Sequence, residues 1–322
     1  MLVPSGATRR DLAVELAAAV GGRVVDGWHL DSEPSAHRDL EVFLHLTPSF
    51  DVLDAADEPF VRLVDDVTII DDLDRAAPAP DGWHRVLSDD ARFLRMLEPL
   101  LPSVGAPGEP AAAAAERLGL LLEDKGDALR LHDRADASVA LITGVRADRQ
   151  RVAECISPPL DDGPEPWFGR VAEAATAVGC TVPVEAATHL HYDAGPFRAA
   201  PVVQRLVWAF AEDHEAIRAR FGTNTRCRRT GALSSSLVEV VDAAGFAELP
   251  WPEAAEKLRA VDGLTKYADV NLLHLVAERP RIDTVEFRML PGTLDPEAFA
   301  VLCAGVDALV EHLVGDDEAA AG

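Results

Sequence analysis

Apolar and polar residues along this chain follow two periods, and the switches between them mark its elements. Residues 8–20 read as a short helix with Leu12, Val14, Leu16 and Ala19 on its apolar side, stopped by Gly21 and Gly22. Residues 23–30 read as a strand and 31–36 as a polar, proline-containing turn. In 39–46 the alternation is clean: Leu40, Val42, Leu44 and Leu46 share one face, Asp39, Glu41, Phe43 and His45 the other. Residues 60–73 suggest two further strands, and 83–87 another. Ser88 with Asp89 and Asp90 can cap a helix over 91–101. Residues 102–115, rich in Pro, Gly and Ala, read as a surface loop or insertion. Strands are expected over 128–131, 138–143, 152–156 and 188–193. Helices are expected over 167–178, ended by Gly179, over 199–221 as the longest, and over 298–314.

Residues 284–288 carry the sharpest pattern. Val285 and Phe287 face one way; Thr284, Glu286 and Arg288 face the other, which puts an acid and a guanidinium about 7 Å apart on one strand face. Strands in meanders broken by long helices, without regular βαβ alternation, predict an α+β fold with a mostly antiparallel sheet backed by helices. No internal repeat is visible.

The 322 residues suffice for a full core, and the net charge of −25 is spread along the chain. That charge argues against nucleic acid or an anionic membrane as partner. Cys155, Cys180, Cys227 and Cys303 show no CxxC pairing and read as reduced thiols. Asp11 and Glu15 interrupt any apolar leader, and no apolar run was found to approach the length of a membrane span, so a cytoplasmic protein is expected.

Four strand segments present acids or imidazoles on one face: Asp39 with Glu41, Glu154, His189 with His191, and Glu286 with Arg288. Singly, each has an ordinary explanation as a solvated strand face or an edge made unfit for aggregation. Together they offer oxygen and nitrogen ligands for a hard cation and an Arg for phosphate oxygens, if their strands share one concave sheet. Cys155 falls on the opposite face from Glu154, toward the core, which argues against a nucleophile there.

The ordered set Glu154-Cys155-Ile156-Ser157-Pro158-Pro159, His189-Leu190-His191, Lys266-Tyr267 with Asn271-Leu272, and Thr284-Val285-Glu286-Phe287-Arg288 resembles the amidoligase family of the glutamine synthetase-like carboxylate–amine ligases. The resemblance runs from about residue 128 to 314. It implies a half-barrel sheet holding ATP and Mg²⁺ or Mn²⁺, with a helix–strand flank at 1–36 and a ligase domain at 37–322 that carries a variable insertion around 50–127. Carried over, Glu154, His189 and Glu286 would be metal ligands, together with Asp39 and Glu41 standing where the family has a Glu-x-Glu strand. His191, Lys266, Arg229 and Arg288 would face nucleotide or phosphate, and Glu286 and Arg288 would be catalytic. Asp136-Ala137-Ser138 stands where the family usually has Asp-Gly-Ser.

The implied reaction joins a small-molecule or peptide carboxylate to an amine donor. A carboxylate resists an amine because oxide is a poor leaving group; phosphorylation by ATP supplies a good one. The alternatives are a glutamate–cysteine ligase-like enzyme and a catalytically degenerate member that binds or scaffolds.

Overall fold

A proline inside a long strand sets the layout of the first half of the chain. The computed structural model describes residues 1–34, 42–227, 229–262, 264–280 and 282–315, so Asp39 and Glu41 lie outside the described residues. The chain forms two compact units, Met1–Pro183 and Val184–Gly322.

The first unit opens with helix α1 (Arg9–Ala19). Thr8 and Asp11 exchange side-chain-to-backbone bonds as a capping box. Gly21, at φ +65°, ends the helix, and the Gly22 N–H donates to Ala17 O at 2.8 Å. Strand β1 (Arg23–Pro34) then pairs antiparallel with β2 (Val42–Leu53) along its whole length. Residues 31–34, expected as a turn, are therefore strand, because β2 supplies partners that local polarity cannot reveal. The other edge of β2 forks: residues 50–53 pair with β3 (Pro59–Val64) and 44–46 with β4 (His84–Ser88). Pro48 sits at the fork, where its missing N–H costs no ladder bond.

At the fork the Pro48 carbonyl receives Arg9 of α1, which also reaches two carbonyls of residues 149–152. Its guanidinium is fully buried and donates to Pro48 O (3.1 Å), Arg149 O (2.5 Å) and Val152 O (3.0 Å), 5.1 Å from the Trp83 ring centroid. Burial lowers its pKa to about 10, opposed by the Asp65 charge and aided by Arg149. Asp65, itself buried, receives Arg149 in a two-pronged pair at 2.8 and 2.6 Å.

Helices α2 (Ala91–Leu97) and α3 (Gly108–Leu118) follow, then β5 (Leu121–Asp124), β6 (Ala128–His132), β7 (Ser138–Gly144), β8 (Glu154–Ile156) and α4 (Glu165–Val178). The sheet order is β5-β6-β7-β4-β2-β3-β8, with β1 on the far edge of β2, and every pairing is antiparallel. One face buries Trp28, Leu46, Val86, Leu131 and Ile142 against Leu94 and Leu97 of α2 and Ala111, Ala114 and Ala115 of α3. Those three alanines, at helical spacing, turn half of the stretch expected as loop into helix. Residues 65–73, expected to include a strand, are turns instead. Ile69 and Leu73 satisfy their hydrophobicity in a cluster with Leu2 and Val152 without joining a ladder.

The second unit contains β9 (Ala187–Asp193), α5 (Ala200–Glu212), α6 (His214–Phe221), α7 (Ser235–Val241), α8 (Trp251–Arg259), β10 (Val270–Asn271), α9 (Leu273–Val276), β11 (Thr284–Pro291) and α10 (Pro296–Gly315). The expected single helix over 199–221 breaks at Asp213, whose ψ of 21° closes one helix and opens the next. Val203, Leu206, Val207 and Phe210 of α5 are buried as a stripe. Phe287 of β11 meets Phe210, Phe197 and Tyr192 at ring-centroid distances of 6.0, 6.4 and 5.5 Å. Arg205 of α5 donates to Leu313 O at the end of α10. By length and composition α10 could cross a membrane, with a mean hydropathy of 1.6, contrary to the expectation that no such run exists. Its Phe299, Cys303, Val306, Leu309 and Leu313 are nonetheless buried within the fold, spaced as on a core helix.

The fold is α+β with an open, curved, antiparallel sheet. The expectation that Glu154 shares a sheet with the His, Glu and Arg strands is corrected by the pairing. Strand β8 is the last strand beyond β3 on the larger sheet, whereas β9, β10 and β11 form a separate sheet ordered β10-β11-β9.

Candidate active site

Register on the small sheet brings four of the expected residues together. Glu286 on β11 lies directly opposite His191 on β9 and Asn271 on β10. Two residues along each strand, on the same face, come Arg288 and His189. Between Phe287 and Leu290 the pairing with β9 shifts, so that Arg288 and Met289 together oppose His189. Such a bulge re-aims a side chain and interrupts the ladder locally. The Arg288 N–H accordingly bonds to Asp269 O at 2.7 Å.

The ordinary explanation of Glu286 and Arg288 taken singly, a solvated strand face, does not hold. Both are buried instead, at 6% and 9% exposure. Arg288 Nη1 donates to Glu286 Oε1 at 2.6 Å, and Asn271 Nδ2 donates to Glu286 Oε2 at 2.8 Å. His189 Nδ1 stands 3.1 Å and His191 Nε2 3.7 Å from the same Oε1. His191 is oriented by Thr284 Oγ1, 3.0 Å from its Nδ1. Burial pushes the Glu286 carboxyl up, but the His189 hydrogen bond, the Arg288 charge and Asn271 together outweigh it, and the group lies well below the usual carboxylate range. Burial lowers His191, despite the neighbouring Glu286 charge, with His189, His274 and Arg288 adding to the fall.

Arg288 Nη2 reaches Arg229 O at 3.4 Å, while its buried Nε has no hydrogen-bond partner. A buried cationic donor left open is costly, and an anion oxygen is its natural complement. The backbone beneath is fixed by Asp269, also buried. Its carboxylate takes Arg218 through two bonds at 2.7 and 2.8 Å and His214 Nε2 at 3.0 Å, tying α6 to the strand.

The other expected residues fall elsewhere. The guanidinium of Arg229 and the ammonium of Lys266 each lie 5.4 Å from the Tyr267 ring centroid; it is the Arg229 carbonyl that touches Arg288. Glu154 is exposed on β8, in register with Val64 of β3. Asp136 occupies the β6–β7 turn at φ +67° and pairs with Arg130 at 2.8 Å, which explains it as turn chemistry. Desolvation pushes the Cys155 thiol up to about 12, in keeping with an unreactive cysteine.

Among the described residues no group of three or more His, Cys, Asp or Glu is arranged to hold a metal ion. The donor set on the small sheet explains why. Both Glu286 oxygens already accept hydrogen bonds, and a hard cation prefers oxygen to the two imidazoles on offer. These side chains do not fit a resident Mg²⁺. Sequence reasoning assigned no role to Asn271, Asp269, Arg218 or His214. Asn271 stands in the ordered motif Lys266-Tyr267 with Asn271-Leu272, which marks the position without assigning it a role.

Comparison with curated proteins finds a limited likeness to the RecBCD enzyme subunit RecD of two Mycobacterium tuberculosis strains, CDC 1551 / Oshkosh and ATCC 25618 / H37Rv. Each is 33% identical over 78 residues, 24% of this chain and 14% of the relative. The chain thus spans a small fraction of the length of these relatives. No solved structure matches. The family match is broader: residues 127–302 fit the family described as "Putative amidoligase enzyme". These residues are more than half of the chain and include β9, β10 and β11, and the protein belongs to that family of ligase-type enzymes.

Proposed function

We propose that this protein is an ATP-dependent carboxylate–amine ligase in which the β9–β11 face binds the phosphoryl group being transferred. The observation that carries this reading is the buried Glu286–Arg288 pair with an Arg288 Nε that has no hydrogen-bond partner. Glu286, itself bonded by Asn271, holds the guanidinium in place, and a planar fork of donors suits two oxygens of a phosphoryl group better than a single point charge would. His191 is neutral at pH 7 and partly exposed, a hydrogen-bonding group that adds no charge to repel a divalent cation arriving with the nucleotide.

The chemistry runs in two steps. The substrate carboxylate attacks the γ-phosphorus of magnesium-bound ATP, forming an acyl phosphate and releasing ADP. The amine then attacks the acyl carbon, expelling phosphate and losing a proton to give the amide. ATP and its Mg²⁺ enter as substrate. No step is assigned to a resident metal.

The test is calorimetric binding of a non-hydrolysable ATP analogue with Mg²⁺ to wild type, Arg288→Ala and Arg288→Lys. Circular dichroism verifies folding. Binding in the wild type that falls roughly tenfold or more in both variants is expected, since Lys lacks the planar fork. Absence of binding at millimolar nucleotide would overturn the ligase reading. The degenerate alternative has one observation in its favour, the hydrogen bonds that close both Glu286 oxygens, and would then take its place.

A further inference from the structure

The larger sheet carries a groove that none of this chemistry uses. It is a cavity of about 440 Å³ over the β1-β2-β3-β8 branch. Its floor is one cross-strand row: Val25 opposite Asp51, Asp51 opposite Arg62, Arg62 opposite Ile156. Residues paired this way point to the same side of a sheet. Val25 and Ile156 are large apolar side chains left 36% and 39% exposed at the two ends of the row. Between them Arg62 Nε lies 3.3 Å from Asp51 Oδ1, and both side chains remain substantially open to solvent.

Arg62 is not a loose surface arginine. Its Nη2 is anchored to Trp28 O at 3.2 Å and Ser49 Oγ at 3.4 Å, which fixes the fork of donors relative to the sheet. Glu154 sits on the same face, two residues before Ile156 on β8, and Pro158 lines the groove. The row therefore presents an anchored cation, an anion in contact with it, and apolar walls on either side.

We propose that this groove binds a free α-amino acid with an aliphatic side chain. The assignment rests on the groove alone and is independent of the ligase reading. Arg62 takes the α-carboxylate and Asp51 the α-ammonium, while the side chain lies over Val25 or Ile156. The contact between Arg62 and Asp51 selects the class. A ligand that meets both must carry its own opposite charges side by side, as on a single α-carbon. In a dipeptide or longer chain the free ammonium and carboxylate lie at opposite ends, and one of the two protein charges would be left facing amide or hydrocarbon.

The experiment is calorimetric titration of the full chain with L-leucine, with and without Mg²⁺ and the non-hydrolysable ATP analogue. Isopentylamine, 4-methylpentanoate and L-leucyl-L-leucine are run in parallel. Leucine should bind, and removing either charge or moving the charges apart should weaken binding roughly tenfold or more. Arg62→Leu and Asp51→Asn should each do the same to leucine while leaving nucleotide affinity unchanged. Equal affinity for leucine and isopentylamine, leucine binding that survives Arg62→Leu, or tighter binding of the dipeptide would each overturn the assignment. No leucine binding under either condition would overturn it as well. Nucleotide binding in the same titrations bears on the ligase reading separately and does not decide the groove.

Discussion

Removing the Glu286 carboxylate is the most informative single perturbation of this protein. In Glu286→Ala, Arg288 keeps its charge, stays buried, and loses the oxygen 2.6 Å from its Nη1, while Asn271 Nδ2 loses its acceptor. Breaking a buried pair from one side costs about 3–5 kcal/mol, because the remaining charge is uncompensated. Near the melting temperature roughly 2–4 °C accompanies each kcal/mol in a unit of this size, so Tm should fall by on the order of 6–20 °C. Replacing both partners by apolar side chains, as in Glu286→Leu with Arg288→Met, should cost much less than the sum of the single changes. The pH dependence has a definite sign. The Glu286 carboxyl is depressed in the folded state relative to about 4.3 when unfolded, so its contribution is complete above that value and is lost as pH falls below it. Urea denaturation followed by circular dichroism at pH 7, 5 and 3.5 measures both effects. A loss under about 1 kcal/mol at pH 7, or a gap between wild type and Glu286→Ala that widens on acidification, would refute the buried-pair argument.

Two further outcomes follow from the larger unit. A Cβ on Gly22 would stand 1.8 Å from Leu53 O, so Gly22→Ala must displace the α1–β1 junction and should destabilise by about 1–3 kcal/mol; a neutral result in the same denaturation assay would contradict the close approach. Cys155, with its thiol pushed up to about 12, should react with iodoacetamide at pH 8 roughly a thousandfold more slowly than an ordinary exposed thiol. Peptide mapping by mass spectrometry would show it, and rapid alkylation of Cys155 would contradict its desolvation.

Local periodicity carried the elements whose partners are near in sequence or whose stripe is regular. The hairpin from Ala128 to Gly144, the helix ended by Gly179 and the β11 alternation were all legible for that reason. It failed where distant pairing decides. The polar residues 31–33 are strand because β2 lies alongside, and the Pro- and Ala-rich stretch before Leu118 is helix because three alanines find a core. The association of His189, His191, Glu286 and Arg288 was legible as an ordered motif. That Glu286 and Arg288 are buried was not, since a two-residue alternation cannot tell a solvated face from one covered by other elements. Asn271 was legible only as a member of the ordered motif and without a role, because a two-residue strand gives no period from which to place it. Glu154 was expected on the same sheet because its strand was read by its face alone, which says nothing of which neighbour it pairs with.

The fork at Pro48 has a consequence for the order of folding. Arg9 joins segments separated by 39, 140 and 143 residues, through carbonyls that are in position only after both branches of the sheet have formed. Loop-closure entropy disfavours such contacts early, so the guanidinium enters its site on the downhill side of the transition state. Changes at Arg9 then act on how fast the first unit unfolds and leave its folding rate nearly untouched, which makes this buried arginine a brake on opening the sheet.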